Sequence, residues 1–563
     1  MNTFRLPWSG EVAGSLALSG ADIDHVPQPI GRTFLGKPKY KRMPISSFKE
    51  REVQKRFGVI LAGKMLGIAA MFGAIFLFYF LFETAAGATP AQAAKAGTDT
   101  VNAINTMWVL VAAFLVFFMQ AGFMALEAGF ARSRESVNIM MECIFDTCLC
   151  GILYFAIGFA FQFGAGALVG SDYFFLHDIP ATYDYVGAFD TGIAFLAFFL
   201  FQFAFADTAS TITSGAMVGR TSFKGDILYS LVVSGFIYPI FAHWVWGPGG
   251  WLNSGGWGIF HSIVPDGVVF RDFAGSTVVH TVGALLALAG ALALGPRIGR
   301  KFAKEGGGPT SPHDLNIAAI GAVILWFGWY GFNPGSTLSA MDAAGIGRVA
   351  ANTTLAACAG GLVAVFFVYP RSKKWDVGMA INGLLGGLVA ITAPCYWVNP
   401  ADAIIIGAIA GVLVPLATDL LEKLKIDDPI GAVPVHGICG VFGTLAVGLF
   451  AAGYGLPGPD GYDNSVSIEG LFHGGGTDQL IAQALGSLTC IVVVGAAALL
   501  LMFGIRQLPG SWNLRLARDE ELEGIDIVEH GLTAYHMEFG AGATYTTYSG
   551  APLPEQPAET ESV

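Results

Sequence analysis

The sequence predicts an all-α membrane protein: an eleven-helix core built from two inverted five-helix repeats plus a final helix, with an extra N-terminal hydrophobic segment. Composition, the length of the apolar runs and the placement of basic residues carry that prediction. Of 563 residues, 54% are hydrophobic and only 13% charged, and the mean hydropathy is +0.59. A soluble fold could not cover so much apolar surface, so the solvent is lipid. Twelve apolar runs recur, at about 58–82, 107–131, 143–164, 191–216, 225–246, 273–296, 317–341, 349–370, 378–398, 401–421, 433–454 and 480–505. Most can cross about 30 Å of hydrocarbon as helices. In lipid only helices or closed barrels satisfy the backbone, and runs of this length favour helices.

Basic residues set the orientation. Arg132/Arg134, Arg220/Lys224, Arg297/Arg300/Lys301/Lys304, Arg371/Lys373/Lys374 and Lys423/Lys425 follow alternate runs. The intervening loops carry acids: Asp172, Asp178, Asp184 and Asp190 in one, Asp460, Asp463 and Glu469 in another. The positive-inside rule assigns the first set to the cytoplasm. The core is then N-out and C-in, multi-pass, in the cell (inner) membrane. The net charge of −12 pools two aqueous sides and says little about partners, and no basic stripe suggests nucleic acid.

Four regions follow. Residues 1–57 form an N-terminal extension, rich in Gly, Pro and Ser over 1–40 and expected to be flexible. Residues 58–93 are a signal-like or extra transmembrane segment. The transmembrane domain covers 105–505, and 506–563 is a cytoplasmic tail whose end, 550–563, is Pro/Glu-rich and expected to be disordered. The run 58–82 follows a basic stretch, Lys37 to Arg56, and precedes residues 84–93, which hold an A-x-A-like cleavage signal. Cleavage is preferred to retention, although the 57-residue lead-in exceeds an ordinary signal peptide unless translation starts at Met43. The seven cysteines (Cys143, Cys148, Cys150, Cys358, Cys395, Cys439 and Cys490) lie almost entirely within the runs. They lack paired-ligand spacing and read as small buried apolar residues. No cofactor or metal is implied.

Two histidines carry the functional signal. His280, in Asp272-Phe-Ala-Gly-Ser-Thr-Val-Val-His280, and His436, in Val433-Pro-Val-His436-Gly-Ile-Cys-Gly, each follow a valine inside an apolar run. Ionisable groups at membrane depth usually face a cavity and mark a pathway. A lone histidine reads better as a core residue bonded to a neighbouring helix. These two fall on the fifth and tenth core helices, at equivalent places in two halves of opposite topology, an architecture of transporters with a midplane site. Paired neutral imidazoles offer a donor and an acceptor, could share a proton, and suit a small polar molecule better than a cation.

Asp272, about two helical turns before His280, can cap backbone N–H groups and favour cations nearby. Phe201 and Phe205 lie four residues apart on one helix face, as do Phe332 and Ser336. Trp246 ends its helix at the outer surface, where tryptophan is commonly an interfacial residue.

At these residues the sequence resembles the ammonium transporter family (Amt/Mep/Rh), in its Amt branch, over about 105–535. The matching stretches are Met119-Gln-Ala-Gly-Phe-Met-Ala-Leu-Glu-Ala-Gly129, Phe201-Gln-Phe-Ala-Phe-Ala, His243-Trp-Val-Trp-Gly, Asp272 to His280 and Gly331-Phe-Asn-Pro-Gly-Ser336. Asp427-Asp-Pro, Val435-His-Gly-Ile-Cys-Gly440 and Glu523-Gly-Ile-Asp, with His530-Gly and Ala534-Tyr535, complete the set. The resemblance implies a homotrimer with one pore per subunit. It implies an outer ammonium site of Trp246, Ser336 and Phe205, with Phe201 in the vestibule. It also implies a gate of Phe205 and Phe332, a lumen of His280 and His436, and Asp272 supporting recruitment or deprotonation. The tail resembles a segment that couples subunits and meets PII-type regulators. Three departures stand out: the N-terminal ninety residues have no family counterpart, Val528 replaces a threonine that plant members phosphorylate, and Asp207 stands where small apolar residues are usual. Two residues past Phe205, Asp207 is rotated about 200° from the gate and needs a partner elsewhere or a wet crevice.

The implied function is ammonium transport: recruitment at the outer aromatic site, deprotonation, and passage of ammonia along the histidines, with or without its proton. A membrane ammonium sensor with little net transport is the alternative. No nucleophile–base pair or phosphate loop points to an enzyme.

Overall fold

The computed structural model describes residues 29–32, 38–40, 96–185, 189–253, 263–265, 267–308, 312–454 and 467–535. The hydrophobic segment 58–82 and the end 550–563 lie outside the described residues. Two compact units divide the chain, residues 1–94 and 95–563. In the first, β1 (Pro29–Arg32) pairs antiparallel with β2 (Pro38–Tyr40); each strand opens on a proline, where the missing N–H is tolerated.

The second unit is the membrane body. Its helices are α1 (Ala96–Phe130), α2 (Ser133–Phe163), α3 (Phe195–Gly215), α4 (Phe223–Trp246), α5 (Ser276–Leu294) and α6 (Leu315–Thr337). There follow α7 (Ala343–Ser372), α8 (Val377–Thr392), α9 (Pro400–Leu424), α10 (Val433–Phe450) and α11 (Asp478–Arg506). Among the described residues, ten helices are long and apolar enough to span a bilayer; α8 is the shorter eleventh. The span expected at 378–398 stops being helical at Thr392. Pro394 follows, and the carbonyls of Cys395 and Val398 are held by Asn352 Nδ2 at 2.9 and 2.7 Å.

The helices pair as two related halves. α1 packs along α6, the first helix of each half, and α5 meets α10, the last of each half. α11 closes the body against α5 and α10. α1, α2, α6, α7, α9 and α11 have faces studded with exposed Phe, Leu, Ile and Val, such as Phe114, Phe118, Ile152, Phe327, Phe366, Leu416 and Leu500. Such faces fit lipid or another apolar partner. Here the cysteine expectation needs correction. Cys148 and Cys358 are exposed, although Cys143, Cys150, Cys395, Cys439 and Cys490 are buried, and all seven are free thiols. Hydrocarbon is as apolar as the core, so composition cannot tell an outward cysteine from an inward one.

After α11 the tail folds back as α12 (Arg518–Glu523) and α13 (Ile525–His530). It is fastened to the first turns of α2 and to inter-helix loops by polar bonds. Asp526 accepts from the N–H groups of Val137 and Asn138 at 3.0 and 2.9 Å, and Glu521 from Ile298 N at 2.6 Å. His313 Nε2 meets the Tyr535 hydroxyl at 3.0 Å.

Candidate functional site

The site is built where α5 and α10 begin. Both helices open with a π-helical turn, Ser276–Thr281 and Val433–Ile438, and the two histidines sit on those turns. A wide turn rotates the residues after it relative to a regular helix, and such turns recur at functional sites. Each turn is launched by the same device. The Asp272 carboxylate accepts from four N–H groups, of Gly275, Ser276, Thr277 and Val278, at 2.8–2.9 Å. The Asp428 carboxylate accepts from Gly431, Ala432 and Val433 at 2.8–3.1 Å. The chain folds back onto each aspartate because Gly275 and Gly431 adopt φ of 116° and 85°, a region that side chains disfavour. Asp-x-x-Gly-x-x-x-x-His therefore occurs twice, at 272–280 and 428–436. Sequence reasoning found the Val-His pair but missed Asp428, whose spacing from His436 repeats that of Asp272 from His280.

The paired starts bring the imidazoles together. His280 Nδ1 and His436 Nδ1 lie 3.2 Å apart, so one donates and the other accepts. Their ring centroids are 5.2 Å apart. Both side chains are buried, and among the described residues no group meets His280 Nε2. His280 also stacks on Trp329 and Phe332, at 5.2 and 5.4 Å. Trp329 is held by a 2.9 Å bond to Thr392 Oγ1. It was not singled out in the sequence, though it lies three residues before Phe332 on the same helix face.

Phe332 and Phe205 stack with centroids 4.1 Å apart and planes at 19°. Phe332 therefore stacks on both Phe205 and His280. Phe201 lies 4.7 Å from Phe205, and the half-buried Trp246 meets Phe205 edge-on at 6.0 Å. Trp246 Nε1 donates to the Asp272 carbonyl at 2.8 Å, tying the tryptophan to the cap of α5. Ser336 is also buried, and its hydroxyl donates to the Phe332 carbonyl at 2.7 Å. All eight candidate residues thus fall on one contiguous stretch, from Trp246 through the stacked phenyl rings to the imidazole pair. Asp207 turns away from it, as its helical position requires, and accepts from Thr147 Oγ1 on α2 at 3.1 Å.

On the tail side, Asp427 ties the loop before α10 to the loop that follows α5. Arg297 reaches its carboxylate with Nε at 2.8 Å and Nη2 at 3.0 Å, and Arg300 Nε lies 3.1 Å away. Burial disfavours the Asp427 charge, but the Arg297 hydrogen bonds and the Arg220 and Arg297 charges hold the carboxyl well below the usual carboxylate range. The residue next to it caps α10, so the clamp and the cap share one loop.

Known proteins resemble this chain over most of its length. The Ammonium Transporter Family matches residues 107–535. Ammonium transporter Amt2 of Archaeoglobus fulgidus is 40% identical over 463 residues, covering 82% of this chain and 94% of its own. Ammonium transporter 1 member 3 of tomato (Solanum lycopersicum) is 37% identical over 452 residues, covering 78% and 94%. Among solved structures, one titled Sensor Amt Protein superposes with TM-score 0.66 at 35% identity, covering 77% of this chain and 99% of that one. Candida albicans Mep2 does so with TM-score 0.65 at 26% identity, covering 75% and 88%. These proteins are transporters or their relatives, not enzymes, and the many apolar helices make this chain a multi-pass membrane protein. By the extent of the family match and the identity to its members, the chain belongs to the ammonium transporter family.

Proposed function

We propose that this protein is an ammonium transporter that recruits ammonium at Trp246 and Ser336, takes a proton from it near the gate, and passes ammonia between Phe205 and Phe332 to the His280/His436 lumen. The observation that carries this reading is the His280 side chain: buried, pressed against the inner gate ring, with Nε2 unmatched among the described residues. A buried polar atom without a partner costs about 1–3 kcal/mol, which a small hydrogen-bonding guest would offset.

Magnitudes favour splitting ammonium over carrying it whole. An unpaired ion of this size meets a penalty of several kcal/mol in a relaxed protein interior. An amine with a pKa of about 9–10 gives up its proton at neutral pH for about 3–4 kcal/mol. Cation–π contact with Trp246 contributes about 0.5–2 kcal/mol, enough to enrich ammonium without trapping it. Asp272 spends all its capping capacity on N–H groups, so its part in recruitment is the field of a fixed carboxylate beside Trp246. The positive-inside sorting supports a cell (inner) membrane location with the tail in the cytoplasm. Kinship supports a homotrimer, and the tail folded across the loops is the surface where a PII-type regulator would act.

His280→Ala tests the lumen: selective ammonium uptake into proteoliposomes should be lost or altered, and wild-type uptake with wild-type selectivity would refute the assignment. The sensor reading draws on the 35% identity to the structure titled Sensor Amt Protein. Growth of a transporter-less host on limiting ammonium separates the two, since correct insertion without growth favours the sensor.

A further inference from the structure

The last four carbonyls of α2 are each taken by a donor, as the end of a buried helix requires. Gly164 N and Gly170 N reach those of Ala160 and Phe161, both at 2.9 Å, and the Tyr183 hydroxyl reaches that of Phe163 at 3.2 Å. The fourth, of Gln162, lies 2.8 Å from Nδ1 of His243 on α4. The other ring nitrogen, Nε2, lies 3.0 Å from the carbonyl of Gly166, in the loop that follows α2.

Both nitrogens of a fully buried imidazole therefore face carbonyl oxygens, which can only accept. A neutral ring carries one N–H and satisfies one of the two; the other contact sets lone pair against lone pair. Only the imidazolium makes both bonds. Its place favours that charge twice over, at the C-terminal end of α2 and in the last turn of α4, each the negative pole of a helix. His280 and His436 differ, because their Nδ1 atoms meet each other.

This clamp sits beside the tryptophan of the outer site. Trp246 ends the same turn three residues on, and its indole is fixed by the 2.8 Å bond to the Asp272 carbonyl. Trp244 Nε1 donates to the Leu168 carbonyl at 2.7 Å, so His243 and Trp244 together hold loop 164–170 against the end of α4. Gly247 closes the turn over the ring, where a Cβ would lie 2.2 Å from His243 Nδ1 and 2.3 Å from the Gln162 carbonyl oxygen. Titratable groups on the surrounding elements are Tyr154 of α2, Asp207 of α3, Tyr238 of α4, Asp272 and His280 at the start of α5, and Asp172 and Tyr183 after α2. None of them forms an ion pair with His243 among the described residues. Asp172 accepts from Ala165 N at 2.8 Å, Asp272 caps α5, and Asp207 meets Thr147.

We propose that His243 is a positioning residue for ammonium recruitment: as an imidazolium it ties the end of α2 and its loop to the turn that presents Trp246, and rising outer pH releases the Gly166 bond. The single N–H of the neutral ring stays on the Gln162 carbonyl, which is buried, whereas Gly166 is exposed and water can replace the ring there. The doubly bonded state is therefore complete at low pH and lost as pH rises through the histidine titration. The proposal rests on the recruitment reading for its effect on uptake, and on the two carbonyls alone for the clamp.

The test measures ammonium uptake by the full chain in proteoliposomes at outer pH about 5.5 and about 8, a range that spans histidine titration and leaves ammonium almost fully protonated. The apparent KM should be roughly 2- to 10-fold higher at the upper pH, the size of one net hydrogen bond, with the maximal rate within about twofold. His243→Asn keeps a donor where Nδ1 stands and none where Nε2 stands, so its KM should match the upper wild-type value at both pH values. His243→Gln, whose donor falls at the Nε2 place instead, should also lose the pH dependence. At one fixed pH near 6, where the wild-type ring is charged, backbone amide exchange over 164–170 should be faster in His243→Asn than in wild type. A wild-type KM that does not change with pH overturns the proposal, as does a pH slope that survives in both amide variants. Unchanged exchange over 164–170 in His243→Asn overturns it as well. An unaltered KM in Trp246→Leu would instead remove recruitment from that residue, with the exchange result still deciding the clamp.

Discussion

Asp272 is the residue whose removal most directly tests how the site is assembled. Its carboxylate alone satisfies four N–H groups at the start of α5, each within 2.9 Å. Hydrogen bonds to a charged group contribute about 1.5–3 kcal/mol each. Four donors sharing one acceptor group do not add in full. Asp272→Ala should therefore destabilise by roughly 4 kcal/mol, at the exceptional end for a single substitution. Asp272→Asn keeps one acceptor oxygen but turns an NH2 against two of the donors, and about 2 kcal/mol is expected. The assay is thermal unfolding of the purified protein in detergent, followed by tryptophan fluorescence at one fixed scan rate, because such proteins unfold irreversibly. For a body this large the alanine variant should melt at least about 5 °C lower. A midpoint within about 2 °C of wild type would refute the capping argument. Unchanged melting with uptake lost would make Asp272 purely an electrostatic residue.

Other outcomes follow from the same contacts. Trp246→Leu removes about 0.5–2 kcal/mol of cation–π attraction, so the apparent KM for ammonium should rise roughly 2- to 30-fold; an unchanged KM would place recruitment elsewhere. Asp427→Asn breaks a buried carboxylate–arginine clamp and should cost about 3–5 kcal/mol. Because the Asp427 carboxyl titrates well below its unfolded value, its stabilisation is full above the ordinary carboxylate pKa of about 4 and is lost only as pH falls through the lower folded value. The melting difference between variant and wild type should thus stay constant from about pH 8 to pH 5; a difference that fades across that range contradicts the assignment.

Much of the site was legible because it is local. Phe201/Phe205 and Phe332/Ser336 are helix-face pairs, and the Val-His dipeptides mark equivalent helices. Asp428 was legible too, through the repeated Asp-x-x-Gly-x-x-x-x-His spacing, but its neighbour Asp427 in Asp-Asp-Pro drew the attention. Trp329 was hidden among a run of aromatic residues at 326–332 that belt and core equally explain. The other buried acids of the first half, Glu127, Glu142, Asp146 and Asp226, were illegible, because nothing along the chain says that α1, α2 and α4 turn them inward.

The sequence by itself determined the membrane body, its helix count and the two-half organisation. Those depend on the length and period of apolar runs and on charge between them, which one strand of residues contains in full. It also determined which side chains could not be in lipid without a reason. Only the tertiary structure decided what those side chains do for one another: that Nδ1 of His280 meets Nδ1 of His436, that Phe332 stacks on both Phe205 and His280, and that Asp272 and Asp428 cap the turns that carry the histidines. Contacts of that kind depend on how helices are rotated and docked, and a single positive-φ glycine or π-turn rotates a whole face. That Cys148 faces outward and Cys143 inward, five residues apart on the same helix, is settled by that rotation and by nothing in composition.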